Sequence, residues 1–304
     1  MEGLRRHGKC LNVLSSELFE RLEMKQNKVE KRRLFLYFLI AFSFTWLFWI
    51  PKAIASHGLL APSILIDFLF SPFNPAAFGP LVSAFSFTYL DAGKQGVIEL
   101  LRRGVNYRIR KVWYIPTIFL FPTITGVALL LSILSGEATP DLSVLSNPLS
   151  IAGGFLYIFF LGGPLEEEFG WRGYALDRLQ VRYNAFTSSI ILGFMWGAWH
   201  LPLFFIPGTY PYCLIPIWGF MLSIMLGAIL FTWLYNNTGG SILAAMLFHT
   251  MSNLSHFMFP SLETELGGLY SLILTFIAVI LVLTIWGPKR MVRKTARRSK
   301  DSAY

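Results

Sequence analysis

Long apolar runs alternate with short polar segments along the 304-residue chain. Eight runs approach the length of a membrane-crossing helix, at roughly 34–55, 75–91, 112–135, 149–165, 186–205, 214–235, 240–259 and 267–286. About 20 apolar residues suffice for each crossing. A helix is the economical form there, because it satisfies its own amides where no water can. The run at 75–91 is short and opens at Asn74-Pro75, which blurs its start. The pattern predicts an all-α, polytopic membrane helical bundle of about eight transmembrane helices. From Tyr183 to Leu262 the chain holds no Asp, Glu, Lys or Arg, a stretch long enough to thread a bilayer more than once. There is no internal repeat and no low-complexity tract.

Composition agrees. Charged residues make up 14% and hydrophobic ones 54%, with a mean hydropathy of +0.54; a soluble domain carries about 25% charge. Cys10 and Cys213 are too few for a disulfide framework and have no metal-type spacing. The 33 mostly polar residues ahead of the first run do not read as a cleaved signal peptide. Leu11, Leu14, Leu18 and Leu22 are spaced for a short interfacial helix, though a solvated tail fits equally well.

The placement of charge adds topology. Nine Lys/Arg lie before the first run and six between residues 92 and 111. Three more fall in 166–185 and seven after residue 288, which leaves only Lys52 elsewhere. With eight crossings all four regions share one side. Asp67, Glu137, Asp141, Glu263 and Glu265 fall on the other. The positive-inside rule then puts both termini in the cytoplasm. The net charge of +9 reflects topology and attraction to anionic membrane lipid, not a nucleic-acid footprint. The expected organisation is a cytoplasmic tail (1–33), a transmembrane domain (34–286) and a basic cytoplasmic tail (287–304).

Ionisable groups in or near hydrocarbon are costly and need a reason. The first cluster is Glu166, Glu167 and Glu168, read as the cytoplasmic end of the fourth span. Glu168 and Arg172 are four apart and share a helical face, so they should pair. Glu167 points about 100° away and becomes the candidate general base. Glu166 should face elsewhere or reach water. A solvated cluster that merely anchors the helix would account for the three carboxylates as well. The second place is His200, with Trp196 one turn before it and Pro202 just after. It could be a packing residue or a site residue beside a bend. The third is His249 with Asn253 on the same face. Asn253 could hold an interhelical hydrogen bond, or orient a substrate, a water or an oxyanion. His256 is expected to be structural.

Taken together, a carboxylate and two imidazoles from three helices are the minimum set for activating a water, with a metal or by direct proton abstraction. No Gly-x-Ser-x-Gly elbow and no His-Glu-x-x-His helix is present.

Glu167-Glu168 with Arg172, Trp196 with His200, and His249 with Asn253 occur in the order of three motifs. With the flanking segments 169–174 and 199–204, they resemble the CAAX protease and bacteriocin-processing family of intramembrane proteases, related to the type II CAAX prenyl endopeptidase. The motif core covers about 150–258. Trp196 stands where the family pattern usually has Phe. The resemblance implies that Glu167 activates the attacking water. It makes His200 and His249 assist, has Asn253 contribute to the oxyanion site, and gives Glu168 and Arg172 a supporting part. It leaves open a Zn2+ held by Glu167, His200 and His249, or no cofactor at all. The implied activity is an endopeptidase acting near the cytoplasmic membrane face on a peptide or prenylated protein substrate. A bacteriocin self-immunity or scaffold protein of the same fold is the alternative. A proton-coupled transporter fits less well, for want of inverted repeats.

Overall fold

The computed structural model describes residues 2–71 and 75–293, with side chains from Val29 onward. The leucines of the possible interfacial helix, from Leu11 to Leu22, lie outside the described side chains. Every regular element among the described residues is helical. The long ones are α1 (Glu2–Ser56), α3 (Gly79–Gly104), α4 (Tyr114–Leu134), α8 (Ala185–Trp199), α9 (Ile217–Asn237), α10 (Ile242–Met258) and α11 (Gly267–Trp286). Shorter ones are α2 (Ile64–Phe70), α5 (Pro148–Leu161), α6 (Pro164–Gly170) and α7 (Asp177–Gln180). The molecule is a polytopic helical membrane bundle.

Six helical stretches are long and apolar enough to cross a membrane, or up to seven if a bent pair counts as one. The expected count of eight is not reached by this measure. The run at 240–259 forms a helix of only 17 residues. The run at 75–91 belongs to a pair, Ile64–Phe70 and Pro75–Gly104, bent by 72°. Within α3, Gly93 leaves the helical region at φ +60°, and the chain kinks there.

Local signals set the helix starts. Side chains of Asn147, Asn184 and Ser241 accept from the amides of Ser150, Thr187 and Ala244, capping α5, α8 and α10. Inside the bundle, Thr117, Thr125, Thr232 and Thr250 return their hydroxyl protons to the carbonyl four residues back. The hydroxyl is thereby satisfied without water. Helices α8 and α9 pack closely at Gly193, where an added Cβ would stand 2.8 Å from Met225 Cα. Small residues at such contacts let membrane helices approach.

Two polar ties lock the basic end of the bundle. Asp91 of α3 accepts from Arg33, from Arg178 Nη2 at 2.5 Å and from Tyr174 Oη at 3.1 Å. Arg103, near the end of α3, donates to Asp177 Oδ2 at 2.8 Å and to the Gly240 carbonyl at 3.1 Å. The chain after α11 then straps this end. Ala185 and Phe186 donate their amides to the carbonyls of Lys289 and Pro288. Asn236 and Asn237 donate to those of Arg290 and Met291. Met291 is fully buried.

Candidate active site

The fourth expected span does not stop at its carboxylates. The run from Pro148 to Gln180 is one 33-residue hydrophobic stretch, broken at Gly162-Gly163 and continued through α6, a π-helical turn (Trp171–Leu176) and α7. Charges at 166–168 and 172 lower the local hydropathy, so the sequence reads as a membrane exit. The protein instead neutralises them inside the bundle. Asp177 and Gly240, both held by Arg103, lie nine residues from Glu168 and from His249 respectively. At 1.5 Å per residue, both groups sit about 13 Å in from that tie. They meet at one level because α6–α7 and α10 are pinned at a common height.

Glu166, Glu167, Glu168 and Arg172 are all buried, as are His200 and His249. Glu166 was expected to face elsewhere or reach water; it is 1% exposed, and its Oε2 accepts the Gly163 amide at 3.2 Å. That amide opens a helix and has no intrahelical partner, which is why a carboxylate turns inward to meet it.

Glu168 and Arg172 form the i,i+4 pair, Nη1 to Oε1 at 2.8 Å, with both side chains wholly buried. The guanidinium carbon lies 4.4 Å from the centroid of the Trp196 ring and 4.0 Å from that of Phe231, two rings that meet edge-on. Such stacking suits a planar, weakly hydrated cation. Glu168 Oε1 also meets His249 Nδ1 at 2.9 Å. Glu168 Oε2, Arg172 Nε and Arg172 Nη2 have no hydrogen-bond partner among the described residues.

Glu167 has a different environment. Its Oε2 accepts from two indoles, Trp196 Nε1 at 2.6 Å and Trp171 Nε1 at 3.0 Å. Its Oε1 lies beside Gly163, where an added Cβ would stand 2.5 Å from Oε1 and 3.8 Å from His249 Cε1. Gly163 has φ +111°, so the backbone and the space both call for glycine. Two adjacent carboxylates are thus differentiated: one is held by a cation, the other by two neutral donors.

Trp196 joins the parts. Its indole N–H holds Glu167, and its carbonyl takes His200 Nδ1 at 2.8 Å. Its ring lies edge-on to His249, with centroids 5.3 Å apart. His200 caps the end of α8 and is ringed by Trp49, Trp199, Tyr212 and Phe220. Both imidazoles meet oxygen acceptors through Nδ1, so Nδ1 carries the proton and Nε2 is left over in each. Asn253 Nδ2 reaches the Gly162 carbonyl at 3.4 Å, beside the α5–α6 break. His256 Nδ1 has no partner among the described residues.

The geometry thus gathers Glu167, Glu168, Arg172, His200 and His249 around Trp196, and places Asn253 at the neighbouring break. No three His, Cys, Asp or Glu side chains among the described residues stand close enough to share a metal ion. In this arrangement the set Glu167, His200 and His249 does not fit a three-ligand zinc site.

Trp171 and Gly163 escaped the sequence reading, and Trp196 was seen as a packing ring and a motif position, without a bond to Glu167. A signal existed for Trp171, which lies four residues after Glu167 on the same helical face. Nothing in the sequence pointed from Gly163 to Glu167.

The sequence is similar to those of known proteins. The sequence model of the family described as type II CAAX prenyl endopeptidase Rce1-like matches residues 149–255. A CAAX prenyl protease 2 from Methanococcus maripaludis is 31% identical over 228 residues, 72% of this chain and 82% of the relative. A lysostaphin resistance protein A from Staphylococcus haemolyticus is 30% identical over 167 residues, 53% of this chain and 42% of the relative.

Proposed function

Because the chain belongs to the CAAX prenyl protease family, we propose that it is an intramembrane endopeptidase in which Glu167 activates the water that attacks the scissile peptide. Its substrate is a prenylated protein or peptide ending in a Cys-aliphatic-aliphatic-X tail. The basic end of the bundle and both termini face the cytoplasm, and the substrate tail enters from that side. The observation that carries the assignment is the unequal treatment of the two carboxylates. Glu168 is committed to Arg172 and His249 through Oε1. Glu167 is held through Oε2 alone, and Oε1 borders the notch left by Gly163.

The reaction needs few parts. Glu167 Oε1 takes a proton from water as the water oxygen bonds to the scissile carbonyl carbon. The carbonyl oxygen becomes an oxyanion, and Asn253 Nδ2–H stabilises it, while His249, its Nδ1–H held by Glu168, assists the water through Nε2. The C–N bond then breaks, and the proton held by Glu167 passes to the leaving nitrogen. His200, fixed by its bond to Trp196, assists through its free Nε2. Arg172 and Glu168 hold His249 in place. A self-immunity or scaffold role would ask only that the fold persist, with no reason to bury a carboxylate held solely by neutral donors.

The test is cleavage of an internally quenched farnesylated CAAX peptide by the purified protein in liposomes. Wild type should cut it, and Glu167→Gln and His249→Ala should not. Undiminished cleavage by Glu167→Gln would overturn the mechanism. A chelator arm reports independently on metal dependence.

A further inference from the structure

We propose that Trp171 and Trp196 are positioning residues for the carboxylate of Glu167, a paired indole clamp that fixes which of its oxygens works. The proposal rests on the reading of Glu167 as the base. The two indoles come from different parts of the fold. Trp171 opens the π-helical turn directly after α6, and Trp196 lies in the last turn of α8. Both N–H groups nevertheless converge on the same oxygen, Oε2. Both rings are almost fully buried, and Trp196 is 3% exposed. Water cannot replace either donor without opening the core.

An indole N–H can donate and cannot accept. It therefore satisfies a carboxylate without adding a charge or taking its proton. An Arg or Lys in the same place would lock the carboxylate in an ion pair, as Arg172 does with Glu168. The clamp also breaks the symmetry of the carboxylate. With Oε2 saturated, only Oε1 remains to meet a water, and Oε1 is the oxygen beside Gly163 and His249. The π-helical turn extends from Trp171 to Leu176, and widened turns of this kind recur at functional sites. It begins at the residue that supplies one jaw of the clamp.

The same ring of Trp196 covers the Arg172 guanidinium and meets His249 edge-on. Trp196→Phe keeps an aromatic ring for both contacts while deleting the N–H and the remaining bulk of the indole. Trp171→Phe does the same at the other jaw. The expected result is a fall in kcat of about tenfold or more for each, since hydrogen bonds to charged groups are among the stronger ones. KM should stay near the wild-type value, because neither indole is proposed to touch substrate. The double variant should fall further. Trp218→Phe is the control, at an indole 70% exposed on α9.

A second readout needs no turnover. The chain has nine Trp. Protein labelled with 15N at the indoles gives one N–H signal for each, and the two single variants assign Trp171 and Trp196 by deletion. Both signals should lie downfield and move upfield together in Glu167→Gln. The proposal is overturned if those two signals ignore Glu167→Gln. It is also overturned if the folded single and double Phe variants keep the wild-type kcat while Glu167→Gln is inactive. That second outcome leaves the role of Glu167 standing. Full activity of Glu167→Gln removes that role instead.

Discussion

His249 Nδ1 stands 2.9 Å from Glu168 Oε1, the same oxygen that Arg172 approaches at 2.8 Å. One carboxylate oxygen thus links a cation on its own helix to an imidazole on α10. All three side chains are buried. Removing one member of a buried charge pair leaves the other uncompensated, at a cost of about 3–5 kcal/mol. Arg172→Ala and Glu168→Ala should therefore lower the thermal midpoint in detergent sharply. Arg172→Lys should recover little of it, since a lysine lacks the planar face that packs against the Trp196 and Phe231 rings. A wild-type midpoint in Arg172→Ala would show that the pair is not holding the bundle together.

Gly163→Ala should injure catalysis more than folding. The left-handed backbone adds roughly 1–2 kcal/mol of strain for an alanine. The new methyl also falls 2.5 Å from Glu167 Oε1, so the carboxylate must move. We expect kcat for the farnesylated peptide to drop at least about a hundredfold, because small displacements of a catalytic group are expensive. A melting curve and a rate from the same preparation check the split.

How much of this was legible beforehand varies by residue. The i,i+4 spacing of Glu168 and Arg172 pointed to their ion pair, and the helical bundle follows from the apolar runs. That the hydrophobic stretch runs on past the carboxylates did not follow. Hydropathy counts each of Glu166, Glu167, Glu168 and Arg172 as a cost. It has no way to credit a partner supplied by α8 or α10. Where Glu166 turns stayed open for a related reason: its partner is a backbone amide exposed by the break at Gly163, and breaks of that kind leave little trace in a residue pattern. Trp196 read as an apolar ring, whereas its polar edge does the organising.

Arg103→Ala should unsettle the site from a distance. Arg103 is partly exposed, and its pair with Asp177 contributes only about 1 kcal/mol as an ion pair. Its second bond, to the Gly240 carbonyl, ties the start of α10 to the same guanidinium. We expect a drop of about 1–2 kcal/mol in stability and a several-fold loss of kcat. Arg103→Lys should keep the contact with Asp177 but lose that with Gly240. If Arg103→Lys keeps the wild-type rate, holding Gly240 does not matter.

Cys213 offers a test of orientation. It is free and exposed in the segment joining α8 to α9, at the end opposite the Arg103 tie. With the basic end facing the cytoplasm, a membrane-impermeant maleimide should label Cys213 on intact cells in a Cys10→Ser background. Cys213→Ser should abolish that labelling. Labelling only after the cells are permeabilised would reverse the assigned topology.

The strap after α11 also has a practical consequence. The carbonyls of Pro288 to Met291 complete hydrogen bonds begun by the first residues of α8 and the last of α9. The last described stretch of chain thus works as a closing stitch for two helices that were folded long before it in sequence. A truncation or fusion joined at Trp286 would leave four donors at that end to seek water. A fusion placed after residue 293 would leave the stitch intact.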